Sequence, residues 1–230
     1  MNRSRLPTIV LILCCYAGGE QAPAQSKAKA GTKSKPAAAK PPAPPQPPAR
    51  KLEIFVMLPE PKAMRTDRSR FLPDAKKSII SPAHETADAS GVRAYTAEEF
   101  ARLGISVDTF MDRARSAADR RLAEQKPDFI KDAEGRLRYA VYRSDSPLTA
   151  SLLMAPSLGA VFREALGGDV WAVAPDRNSL FIFPAKPEAL EEFAPDLRDR
   201  YDSNPFAASP EVFLMSATGG LPRVVGAFGG

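Results

Sequence analysis

Thiols, imidazoles and long apolar runs are all scarce in this chain of 230 residues, and each scarcity removes a class of chemistry. Its two cysteines, Cys14 and Cys15, lie together inside one short apolar run near the N-terminus. If that run is removed on export, the remaining chain has no thiol for disulfides, thiolate nucleophiles or Cys-ligated metal. The one histidine, His84, lies in Ser81-Pro82-Ala83-His84-Glu85-Thr86-Ala87-Asp88. That stretch reads as a surface loop or a short capped helix with His84 and Asp88 on one face, one imidazole short of a zinc-protease helix, so no metal site is expected. There is no Gly-x-Ser-x-Gly elbow, no phosphate-cradling glycine loop and no dinucleotide fingerprint, so no catalytic residue and no cofactor is assigned. That N-terminal apolar run is far short of the roughly 18 residues of a membrane span.

What is present begins with an export pattern. Arg3 and Arg5 precede the apolar run Ile9-Val10-Leu11-Ile12-Leu13-Cys14-Cys15, and Ala22-Pro23-Ala24 supplies a small-x-small site with cleavage expected after Ala24. Residues 1–24 are therefore read as a signal peptide, and the mature chain as exported, periplasmic or secreted, with no transmembrane span. A lipid-anchored form, modified on Cys14 or Cys15, is the alternative. Residues 25–50 are rich in Pro, Ala and Lys, and Pro41-Pro42-Ala43-Pro44-Pro45-Gln46-Pro47-Pro48 favours polyproline II, so this segment reads as a disordered linker. It holds Lys27, Lys29, Lys33, Lys35, Lys40 and Arg50 with no acid, whereas residues 51–230 carry 24 basic and 26 acidic residues. The chain's basic character therefore belongs to the linker, which reads first as a charged segment kept soluble and extended, and alternatively as suited to an anionic envelope surface or an envelope protein.

Residues 51–230 read as one α+β domain with a mostly antiparallel sheet built from hairpins. A strand is expected over residues 52–58, stopped by Pro59 and Pro61, followed by surface loop over most of residues 60–92. Thr96-Ala97-Glu98-Glu99 is a capping box for a short helix ending at Gly104. Ser106 caps a longer helix in which Val107, Phe110, Met111, Ala114, Ala118 and Leu122 recur at helical spacing. A hairpin turns at Asp132-Ala133-Glu134-Gly135, and residues 148–166 read as helical with a break at Pro156. Residues 170–174 and 180–183 are apolar on both faces and are placed centrally in the sheet. A helix over residues 187–201, interrupted at Pro195, precedes a last hairpin across Thr218-Gly219-Gly220. The basic loop from Lys62 to Lys77 lacks interleaved aromatics apart from Phe71, which argues against nucleic acid.

Ala150-Ser151-Leu152-Leu153, Val161-Phe162, Leu166-Gly167-Gly168-Asp169 and the run Ala172-Val173-Ala174-Pro175-Asp176-Arg177-Asn178-Ser179-Leu180-Phe181 together resemble a bacterial family. It is the YtpQ-like family, domain of unknown function 1444, and the helix that Ser106 caps is similar to that family's earlier helix. The resemblance spans roughly residues 95–185 and implies a fold. It implies no activity.

The candidate binding loop is Pro175-Asp176-Arg177-Asn178-Ser179, with Trp171 four residues upstream. Asp176, Arg177 and Asn178 on rigid strand ends suit ligand contact, and the same residue types are also ordinary turn chemistry. Glu98-Glu99 and Glu191-Glu192 sit on helices where carboxylates serve as solvated caps. The expectation is an exported, non-enzymatic binding or interaction module of the cell envelope. The alternative is an envelope hydrolase that works with carboxylates.

Overall fold

Helix boundaries follow local capping chemistry closely. The computed structural model describes residues 51–228, so the expected signal peptide, cleavage site and linker lie outside the described residues. Thr96 Oγ1 accepts from the Glu99 backbone N–H at 3.2 Å while the Thr96 N–H donates to Glu99 Oε2 at 3.0 Å, a complete capping box for α1 (Ala97–Arg102). Ser106 Oγ accepts from the Thr109 N–H to start α2 (Val107–Glu124), which buries Phe110, Ala114, Ala117, Ala118 and Leu122. Most of its charged residues form the wet face, whereas Arg121 is largely buried and donates to Ser151 Oγ at 2.9 Å.

Three strands, β1 (Val56–Pro61), β2 (Ser78–Glu85) and β3 (Val92–Ala94), form an antiparallel sheet in that order. The other six are β4 (Asp128–Lys131), β5 (Leu137–Arg143), β6 (Val170–Val173), β7 (Ser179–Pro184), β8 (Glu211–Met215) and β9 (Arg223–Ala227). They form a second antiparallel sheet ordered β4-β5-β7-β6-β8-β9. The α+β class and antiparallel pairing are as expected, and β6 and β7 are internal strands.

The period of two along these strands sorts side chains into two cores. Ala140, Tyr142, Val170, Ala172, Leu180, Ile182, Phe213 and Met215 face α2, a 3₁₀ segment (Thr149–Met154), α3 (Leu158–Phe162) and part of the three-stranded sheet. Val141, Val173, Phe181, Phe183 and Val212 face the opposite side, against Leu190, Phe193 and Leu197 of α4 (Pro187–Glu191), α5 (Ala194–Ser203) and the residues between them. Fully buried large side chains such as Phe162 and Phe213 contribute about 1.5–3 kcal/mol each. Where α3 crosses the loop after β8, Gly159 permits the approach: a Cβ there would lie closer than 3.0 Å to the Ser216 carbonyl.

Two expectations are corrected. Pro59 and Pro61 do not stop the first strand, because both lie within β1, which among the described residues is an edge strand paired with β2. Pro59 sits opposite Ile80, whose N–H and C=O are both engaged by Arg70, so the position where proline lacks a donor points away from the partner strand. Residues 60–92 are irregular over most of their length, as expected, but not throughout. They contain β2, whose first six residues are buried. His84 accordingly lies in extended backbone opposite Arg93, its ring 4.7 Å from that of Tyr95, and the capped helix is absent. Asp88 is in a separate turn, where its Oδ1 accepts from the Ser90 N–H at 2.9 Å. Residues 148–166 coil as expected around a break near Pro156, though as a 3₁₀ segment, α3 and a single π turn (Arg163–Gly167).

The Arg93 guanidinium, 2.7 Å from Glu99 Oε1, and the Thr96 N–H hold the Glu99 carboxyl down to about 2 from a usual 4.5. A depressed carboxylate stabilises the fold above its unfolded value, and that contribution is lost as pH falls from 4.5 towards 2. An NMR titration of the Glu99 carboxyl should therefore give a midpoint of about 2, with the amides of α1 beginning to exchange faster over the same window. A midpoint near 4.5 would mean that the Arg93 and Thr96 contacts do not persist in solution.

Candidate functional site

The turn between β6 and β7 directs its polar groups inward. Asp176 has no exposed surface. One of its carboxylate oxygens accepts from the Asn178 N–H at 2.8 Å, and the other accepts from Ser179 Oγ at 2.9 Å and from Arg200 Nε of α5. Arg177 Nη2 donates to Glu60 Oε1 of β1 at 3.0 Å, and its guanidinium lies 5.6 Å from the Phe206 ring. Asn178 Nδ2 donates to the Ser144 carbonyl at 3.2 Å. The turn thus ties β1, the end of β5 and α5 together. Trp171 is not gathered with it. Its indole projects from the outer face of β6 into an apolar hollow of about 210 Å³, beside Leu190, Ala194, Val225 and Phe228.

A third buried carboxylate completes this framework. Glu211 of β8 accepts from the backbone N–H groups of Lys76 at 2.7 Å, Lys77 at 2.9 Å and Ser78 at 3.1 Å, and from the Ser78 hydroxyl. Ser209 Oγ donates to Ser78 Oγ at 3.0 Å, so the start of β2 is fastened to β8 through side-chain acceptors. The three carboxylates most shielded from solvent are thus each engaged by donors within the fold.

The open site lies on the outer face of the large sheet. Alternate residues of β5 and β7, with Phe193 from the two residues between α4 and α5, bring together Tyr139, Phe181, Phe183 and Phe193. Tyr139 meets Phe193 edge-on at 4.8 Å and Phe183 at 5.3 Å, and Phe183 lies 5.6 Å from Phe193. These rings wall a cleft of about 420 Å³, closed on one side by Asp196, Leu197 and Asp199 of α5. That volume is in the range of small-ligand sites. Arg143 and Arg200 both lean on Phe181, at 5.4 and 5.9 Å from its centroid. Arg200 is engaged with Asp176, whereas Arg143, at the exposed end of β5, has no carboxylate within ion-pair distance among the described residues.

Phe183 has no exposed surface and Phe181 almost none, so the cleft presents the partly exposed Tyr139 and Phe193 to a flat or ring-shaped group, while Arg143 can receive an anionic substituent in its two-pronged donor fork. Asp196 and Asp199, three residues apart on α5, are placed to accept from hydroxyls at the rim. Sequence reasoning did not single out these residues. The outward period of two in Tyr139-x-Val141-x-Arg143 and Phe181-x-Phe183 was the available signal, masked because both strands are apolar on their inner face as well.

Among the described residues no group of three His, Cys, Asp or Glu side chains is arranged to hold a metal ion, and no helix is long and apolar enough to cross a membrane. Comparison with protein families, curated proteins and solved structures finds no match to this chain.

Because Arg177 neutralises a carboxylate with almost no exposed surface, Arg177→Ala leaves Glu60 buried without its cation. The expected loss is about 3–5 kcal/mol in chemical denaturation. A loss under about 0.5 kcal/mol would show that the turn is not a structural joint.

Proposed function

We propose that this protein is an exported, non-enzymatic binding module of the cell envelope whose recognition site is the aromatic cleft between β5, β7 and α5. The observation that carries the reading is the Arg143 guanidinium, without a carboxylate partner among the described residues, held over Phe181 at the mouth of a ring-walled cleft. A ring-bearing ligand with an anionic group, such as an acidic saccharide, matches that arrangement: aromatic faces pack the ring and the guanidinium takes the carboxylate. The export pattern of residues 1–24 supports the envelope setting, and the acid-free basic linker supports residence near anionic surfaces. The likeness of residues 95–185 to the YtpQ-like family is part of the proposal as a statement of ancestry. It supplies no activity.

Titration of the labelled protein with uronic-acid oligosaccharides, followed by NMR, is the direct test. Resonances of Tyr139, Phe181 and Arg143 should shift together, and Arg143→Ala should weaken the interaction about tenfold to a hundredfold through loss of a charge-assisted contact. Shifts elsewhere, or an unchanged affinity in the variant, would sink the assignment. The hydrolase alternative has one observation in its favour, the pair Asp196 and Asp199 on the wall of the same cleft. Turnover of these oligosaccharides that disappears in D196N or D199N would establish it instead.

The export reading is checked separately by intact-mass measurement of the protein recovered from fractionated cells. A chain beginning at Gln25 in the envelope or medium fraction is expected. An uncut chain in the cytoplasm would remove the envelope from the proposal.

A further inference from the structure

A second exposed surface has a different chemistry. Residues 62–77 carry Lys62, Arg65, Arg68, Arg70, Lys76 and Lys77 against Asp67 and Asp74, whereas the rest of residues 51–230 holds 18 basic and 24 acidic residues. A cationic segment is therefore set on an otherwise acidic body, which produces a strongly polarised field. Many arginines elsewhere in the fold, including Arg93, Arg136, Arg138, Arg177 and Arg200, lie within ion-pair reach of a carboxylate. Among the described residues Lys62, Arg65, Arg68, Arg70 and Lys76 have no such partner.

The segment is pinned in place. The Lys62 N–H donates to the Lys77 carbonyl at 2.8 Å, Ser69 Oγ meets Ser81 Oγ at 2.9 Å, and Arg70 and Ile80 exchange backbone hydrogen bonds at 2.9 and 2.8 Å. Leu72 beneath it is buried. Against that fixed base two large apolar side chains face water: Met64, 57 % exposed, and Phe71, 39 % exposed. Lys62 Nζ lies 5.7 Å and the Arg65 guanidinium 5.1 Å from the Phe71 centroid, so the ring is clasped between two cations.

We infer that this surface docks on the face of an anionic phospholipid bilayer. Apolar tips flanked by unpaired cations are what an interfacial segment needs: Phe71 and Met64 enter the headgroup boundary while the guanidinium and ammonium groups meet lipid phosphates. An acidic protein surface would neutralise the cations and leave the two apolar side chains no comparable medium. The linker's six acid-free cations supply a second weak attraction, and two weak signals together make a stable membrane association. The inference rests on the envelope setting proposed above for its biological meaning, and on the patch alone for its physics.

The test is co-sedimentation of the full chain, as recovered from cells, with vesicles of phosphatidylcholine containing about 30 % phosphatidylglycerol, compared with pure phosphatidylcholine. Binding is expected only to the anionic vesicles and should fall as salt shortens the screening length. K62E/R65E should weaken it by at least about thirtyfold and M64S/F71S by about tenfold, with unchanged circular dichroism and melting temperature. Three results would overturn the inference: equal binding to neutral vesicles, loss of binding only when the linker's Lys and Arg residues are changed to Gln, or M64S/F71S binding as tightly as the parent while a soluble polyanion competes fully. The last would define a polyanion site. An uncut cytoplasmic chain that still binds these vesicles through the patch would remove the export reading and leave the surface assignment standing, whereas a processed envelope chain that ignores them would do the reverse.

Discussion

Three carboxylates removed from solvent hold the parts of this fold in register. Glu211 on β8 gathers three consecutive backbone N–H groups at the start of β2. Glu60 on β1 takes the guanidinium of Arg177 from the β6–β7 turn, and Asp176 in that turn takes Arg200 from α5. A buried carboxylate without donors is costly, so each of these contacts is close to obligatory once apolar packing has brought the sheets together. The hydrophobic cores supply the driving force and the carboxylates choose one arrangement among those that the cores would tolerate. The open cleft and the cationic loop both depend on that choice, because α5 is held over the large sheet through Asp176 and the loop is closed where Glu211 captures Lys76 and Lys77.

Much of the fold was legible in residue order. Capping residues located α1 and α2, turn residues located the hairpins, and the doubly apolar β6 and β7 announced their central place. The failures share a physical cause. Proline reads locally as a strand stop, yet in β1 Pro59 stands where no donor is needed, and in β2 Ser78 and Ser81 are buried against hydroxyl or carboxylate partners. Ser78 and Ser81 have their partners at Glu211, Ser209 and Ser69, residues that no local window brings near them. His84 followed the same misreading, since Ser81-Pro82 looks like a helix cap only when the strand pairing is unknown.

The candidate site was less legible for a related reason. Asp176, Arg177 and Asn178 carry the residue types of a binding loop, but those types serve equally to stitch distant elements together, and only the positions of Glu60, Ser144 and Arg200 separate the two uses. Tyr139, Arg143, Phe181 and Phe193 look in sequence like ordinary strand and helix residues. They become a cleft because α5 covers only part of the sheet's outer face. The cationic segment was visible as charge, while the clasping of Phe71 by Lys62 and Arg65 required the fold.

The dependence of the whole on the buried carboxylates can be read from native-state hydrogen exchange at the amides of Lys76, Lys77 and Ser78. If Glu211 is the fastening between the two sheets, these three amides, although they begin in an exposed basic loop, should exchange only with global unfolding and match the slowest amides of β6 and β7. Exchange at the rate of an open loop, with β6 and β7 still protected, would be incompatible with that role and would leave the sheets joined by the Glu60–Arg177 pair and apolar packing.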